Sequence, residues 1–73
     1  MSKPPKYLHQ PHAIMLRDMH EAGVSWREME KTIGYSAPSL FRIAAGVHLP
    51  KQRTQTDIEQ TWLRWRDATK AAA

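Results

Sequence analysis

Cysteine is absent from this 73-residue chain, which excludes a disulfide framework and any thiolate metal site. Glycine occurs three times, each copy isolated, so there is no glycine-rich loop to cradle phosphates. The longest uninterrupted apolar run is the four residues from Ala13 to Leu16, too short for a membrane-spanning helix or a signal-peptide core. Strand-like alternation and internal repeats are missing as well. A chain of this length forms one small domain that buries only roughly 60% of its unfolded surface. Little interior is left for a shielded catalytic pocket, so the sequence reads as a binding module and not an enzyme. Its 41% hydrophobic content is too high for a disordered tail.

One further absence is local. The net charge is +4, and all of it lies in residues 31 to 56, which hold Lys31, Arg42, Lys51 and Arg53 and not one carboxylate. The flanking segments each balance to zero. An acid-free window of this kind faces a polyphosphate without local repulsion.

What is present reads as helices. Residues 1–10 carry Pro4 and Pro5 and are expected to form a flexible arm. Pro11 suits the first position of a helix, whose stripe is Met15, Met19 and Ala22, with Gly23 as the stop. Ser25 with Glu28 forms a capping box for a second helix from Trp26 to about Thr32, with Met29 and Ile33 inward and Gly34 as its end. Ser36 caps a third helix with Pro38 in its first turn; Leu40, Ile43 and Ala44 face inward and Gly46 stops it. Val47 to Gln55 reads as a basic loop. Thr56 with Glu59 forms another capping box, with Asp57 at the positive end of a fourth helix running to about Thr69 on a stripe of Ile58, Trp62 and Trp65. The domain reading is an arm at 1–10, a helical core at 11–50, and a basic loop and amphipathic C-terminal helix at 51–73.

The stretch from Ala22 to Met29, followed by Ile33-Gly34-Tyr35-Ser36 and Ser39-Leu40-Phe41-Arg42, resembles the trihelical helix-turn-helix of bacterial and phage DNA-binding proteins. The Ser36-x-x-Ser39-Leu40-Phe41-Arg42 pattern is similar to the DNA-binding domain of Hin-type recombinases and their homeodomain-like relatives. The Gly34…Leu40…Gly46-x-x-x-Pro50 layout resembles the Cro/CI phage-repressor family. The resemblance spans roughly residues 13 to 50. It implies an all-α fold and a recognition helix at about 37–45. One position departs from both patterns: Glu30 stands where a small residue usually lets the two helices pack closely. A buried carboxylate is costly, so the helices splay, or Glu30 reaches solvent, or it meets a cation.

The major groove, about 12 Å wide, admits one helix read from its N-terminal residues. The small residues Ala37, Pro38 and Ser39 let the third helix approach closely, and its first N–H groups with the Ser36 hydroxyl are expected to meet a phosphate. Arg42 suits a bidentate contact to guanine, or else a phosphate. Ala37, Pro38 and Phe41 suit thymine methyls. His48, Lys51 and Arg53 are expected to reach backbone phosphates. Lys3 and Lys6 are candidates for a minor-groove arm. Trp62, Leu63 and Trp65 carry more apolar surface than a domain of this size readily buries, which points to a homodimer interface.

His9, His12 and His20 lack metal-ligand spacing, and no cofactor, small-molecule ligand or membrane partner is implied. The expectation is a double-stranded-DNA-binding transcriptional regulator, most simply a phage or plasmid repressor in a bacterial cytoplasm or nucleoid, acting as a homodimer. Two alternatives stay open: a recombination-accessory or DNA-packaging protein, and a small inhibitor that binds a host nucleic-acid enzyme.

Overall fold

Four helices, in a computed structural model that describes residues 3 to 72, account for the fold: α1 (Pro11–Glu21), α2 (Trp26–Ile33), α3 (Ala37–Ala44) and α4 (Gln52–Ala72). Among the described residues there is no strand. Met1, Ser2 and Ala73, the outer ends of the expected arm and C-terminal segment, lie outside the described residues.

The glycines end the helices as their spacing predicts. After α1, the Gly23 N–H donates to His20 O and the Val24 N–H to Met19 O. This doubled pattern takes up the last free carbonyls of a helix. It recurs after α3, where the Gly46 N–H donates to Ile43 O and the Val47 N–H to Arg42 O. Gly34 caps α2 in the left-handed region at φ 82°, its N–H donating to Glu30 O at 2.9 Å. At the starts, Pro11 opens α1 and the Ser25 hydroxyl accepts from the Glu28 N–H at 3.1 Å.

The inward residues meet in one core, although on α1 the expected stripe is corrected: Ala22 is exposed and Met15 half-buried, while Ala13, Leu16 and Met19 are buried. Leu16 and Met19 of α1, Met29 of α2, Leu40 and Ile43 of α3 and Ile58 of α4 are all fully buried. Helix α3 packs on α1 and α2, and α4 packs on the same two helices. Trp26, Trp62 and Trp65 are half-buried against this core. The domain thus takes up much of the aromatic surface that looked surplus in the sequence, and the expected interface retains the outer edges of Trp62 and Trp65 with the half-buried Leu63.

Two further sequence expectations are corrected. The fourth helix starts at Gln52, not after Thr56, so the basic loop is shorter and Arg53 lies in the first turn of α4. The Gln55 N–H closes that turn on Lys51 O, and the Gln55 side chain donates to Pro50 O at 2.9 Å. Thr56 caps nothing; its hydroxyl donates back to Gln52 O at 3.1 Å inside the helix, the alternative use of such a hydroxyl. Asp57 consequently sits beyond the first turn.

The second correction concerns the arm. From Tyr7 it is docked, not free. The Tyr7 N–H donates to Gly46 O at 2.9 Å, and turns close from Leu8 to Pro5 and from Gln10 to Tyr7. The approach is so close that a Cβ on Gly46 would lie 2.5 Å from the Leu8 backbone.

Gly34 and Gly46 therefore separate two effects. Gly34 has open space around it, so Gly34→Ala is expected to cost about 1 kcal/mol, the strain of a left-handed residue with a side chain. Gly46→Ala carries the same strain at φ 81° and also collides with Leu8. It is expected to cost clearly more in thermal melts and to release the N-terminal turn, read as faster amide exchange at Tyr7.

His12 supplies a pH dependence. It lies in the first turn of α1, 4% exposed, with no partner for Nε2, beside a cleft shared with Gln55 and Glu59 of α4. Burial lowers its pKa below the ordinary value, and the positive end of α1 acts in the same direction. Below about pH 6.5 the unfolded chain binds this proton while the folded chain does not. Its share of stability is full above that pH and falls as the pH drops toward the depressed folded value. His12→Phe is expected to flatten the dependence of stability on pH between about 7 and 5, measured by denaturant titration at each pH.

Candidate nucleic-acid interface

The candidate reading element is α3, and its N-terminus is built differently from the expectation. Ser36 caps it with extended backbone, its hydroxyl accepting from the Ser39 N–H at 3.4 Å and donating to Ser39 Oγ at 2.7 Å. The Leu40 N–H donates to Ser36 O. Pro38 has no N–H. The remaining donor, the Ala37 N–H, meets a carboxylate oxygen of Glu30 at 2.7 Å.

Every early N–H of α3 is thus occupied, and so is the Ser36 hydroxyl. In the free chain a carboxylate holds the position an anion would take, so a phosphate meeting these groups would have to displace Glu30. The same bond settles the departure at Glu30. Its half-buried side chain is compensated by a helix N-terminus, a partner outside the three options the sequence offered. Glu30 also receives the Gly34 N–H on its main-chain oxygen, so one residue fastens both sides of the turn.

The opposite end of α3 is fastened from α1. Arg17 Nη1 donates to Ala44 O at 2.7 Å. A cation at the C-terminal carbonyls and an anion at the N-terminal amides both suit the dipole of α3.

On the outer face, Ser36, Pro38, Phe41 and Arg42 are exposed, while Ala37 and Ser39 are half-buried. Phe41, 57% exposed, meets Trp26 edge-on with ring centroids 5.8 Å apart. The Trp26 ring is stacked on His20 at 4.4 Å, and His20 Nδ1 lies 3.3 Å from Val24 O. Trp26 therefore packs. Beneath these rings lies a cleft of about 230 Å³ floored by Ala44 and Ala45, with Arg17, His20 and Glu21 at its α1 side. Reading the sequence as a line missed this cleft and the role of Arg17. The signal available was that Arg17 and His20 sit one turn apart on α1.

The other basic residues are exposed but fall in separate places. His48 lies in the α3–α4 connection, Lys51 immediately precedes α4, and Arg53 is in its first turn, which contains no acid. Lys6 lies next to the docked Tyr7, its Nζ 5.6 Å from that ring's centroid, close to the end of α3; Lys3 is exposed. No cluster of three His, Cys, Asp or Glu able to hold a metal occurs among the described residues. Nor is any described helix long and apolar enough to cross a membrane.

The Glu30 bond has a measurable weight. A hydrogen bond to a charged group contributes about 1.5–3 kcal/mol, so Glu30→Ala is expected to destabilise by about that amount and Glu30→Gln by less, since a neutral amide oxygen still accepts. Chemical denaturation of the three proteins checks the order.

Comparison with protein-family models, curated proteins and solved structures found no match for this chain.

Proposed function

We propose that this chain is a sequence-specific double-stranded-DNA-binding protein, most simply a transcriptional repressor, with α3 entering the major groove. The observation that carries this reading is the state of α3. It is a two-turn helix fixed at both ends, and it leaves Pro38, Phe41 and Arg42 exposed. It also lies in the middle of the segment that contains no acid and the whole net charge. A rigid helix with a small N-terminal residue, an aromatic ring and a guanidinium on its open face has the form that major-groove readout requires.

The roles keep the sequence assignments of Arg42, His48, Lys51 and Arg53 and change those of the α3 amides and Lys6. With the α3 amides occupied, phosphate contact falls to Lys51 and Arg53 at the positive end of α4 and to His48. Arg42, in the last turn of α3, is the base reader. Lys6, held beside the end of α3 by the docked turn, serves the flanking backbone better than a distant minor groove. A homodimer on a two-fold site remains part of the proposal. Its apolar contacts would come from Leu63 and the outer edges of Trp62 and Trp65.

The test begins with selection of a site from a random duplex pool by the wild-type chain. Arg42→Ala is expected to cost about 1–3 kcal/mol on the selected duplex and much less on a scrambled one of equal length. Arg53→Ala is expected to weaken both equally, because a phosphate carries no sequence information. Failure to enrich any duplex overturns the reading. Equal losses on both duplexes for Arg42→Ala reduce Arg42 to a clamp.

A further inference from the structure

We propose that the cleft between Trp26, Phe41 and Ala45 receives the 5-methyl edge of a thymine beside the base read by Arg42. This rests on the reading of α3 as a major-groove helix and adds to it the identity of a base.

The Arg17 guanidinium at the edge of the cleft donates to Ala44 O, which fixes its position. Glu21 stands at the same edge, and the carbonyl end of α1 adds negative potential there. The single carboxylate and the guanidinium offset one another, so the cleft offers no net charge to an ionic occupant. The walls are aromatic carbon and two alanines, so the occupant is apolar.

The second step is the geometry of the walls. Trp26 is held between the stacked His20 ring and the edge of Phe41. A ring already in contact with two other rings loses little freedom when something docks beside it. The cleft is preformed, and at about 230 Å³ it is larger than a methyl group and admits the edge of a pyrimidine.

The third step identifies the source of the methyl. Phe41 lines the cleft, and it and Arg42 are both exposed on α3, so a duplex that lies along α3 meets both. The partner of the surrounding acid-free segment is a polyanion. In the major groove of DNA the apolar group on the base edges is the thymine 5-methyl. An apolar cleft next to a guanidinium on one helix therefore matches a thymine adjacent to a guanine. Ala37 and Pro38, the other candidates for methyl contact, line no part of the cleft.

The test replaces each thymine of the selected duplex by uracil, which removes only the methyl. For the wild type, one position per half-site is expected to lose about fourfold in affinity, the transfer free energy of one methyl group. Phe41→Ala is expected to abolish that discrimination. It changes an exposed side chain, so the fold is retained, as thermal melts verify. Ala45→Leu, which fills the cleft from a half-buried position, is expected to abolish it as well. If the wild type binds the duplex tightly and treats thymine and uracil alike everywhere, the inference is overturned while the DNA reading stands. If a thymine position is found but Phe41→Ala and Ala45→Leu leave it intact, the methyl is read elsewhere and the cleft assignment fails. If Phe41→Ala instead abolishes self-association in sedimentation with discrimination unchanged, the cleft holds a second copy of the chain. Failure to bind any duplex overturns the reading beneath it.

Discussion

The arrangement depends on how a helix of only eight residues is held in place. α3 is too short to persist by itself, since isolated helices below about 12 to 15 residues are marginal in water. Three of its side chains reach the core. Its two ends are then fixed by opposite charges arriving from different helices, Glu30 of α2 at the amides and Arg17 of α1 at the carbonyls. Each contact meets the end of the dipole that suits it. The pair orients α3 relative to both helices it packs on, and the exposure of Phe41 and Arg42 follows from that orientation.

Much of the fold was legible because the chain punctuates itself. Gly23, Gly34 and Gly46 stop three helices, Ser25 and Ser36 start two, and the inward residues of α2 and α3 follow from periodicity. The start of α4 was misread because Thr56 with Glu59 has the form of a cap, while Gln52 to Gln55 carry no local start signal. The first turn of α4 forms because Lys51 O and Pro50 O accept from Gln55, and side-chain reach of that kind has no sequence pattern. The docking of Tyr7 on Gly46 was invisible for a similar reason: the two are far apart in the chain, and glycine at 46 was already explained as a helix stop.

The site was legible in its residue types and not in its assignments. The exposed set on α3 follows from helical spacing. The fate of its amides does not, because it depends on a carboxylate one turn before the glycine that ends α2. Glu30 stands in the sequence as a departure requiring relief; in the fold it is the anion at the N-terminus of α3. Under the proposed function, its presence shifts the duty of meeting phosphate toward α4. The three tryptophans show the converse case. Counted as composition they exceed the needs of a small core, yet each lies flat enough on the bundle to be half covered.

The contacts that secure the ends of α3 have a consequence for how such a protein changes over time. Both involve main-chain atoms of α3, the Ala37 N–H and the Ala44 carbonyl. The outward side chains Pro38 and Arg42 contribute to neither. The proposed recognition surface and the architecture are thus written in different parts of the same helix. The outer letters can be rewritten while the frame that presents them persists, which makes α3 an interchangeable face on a fixed mount.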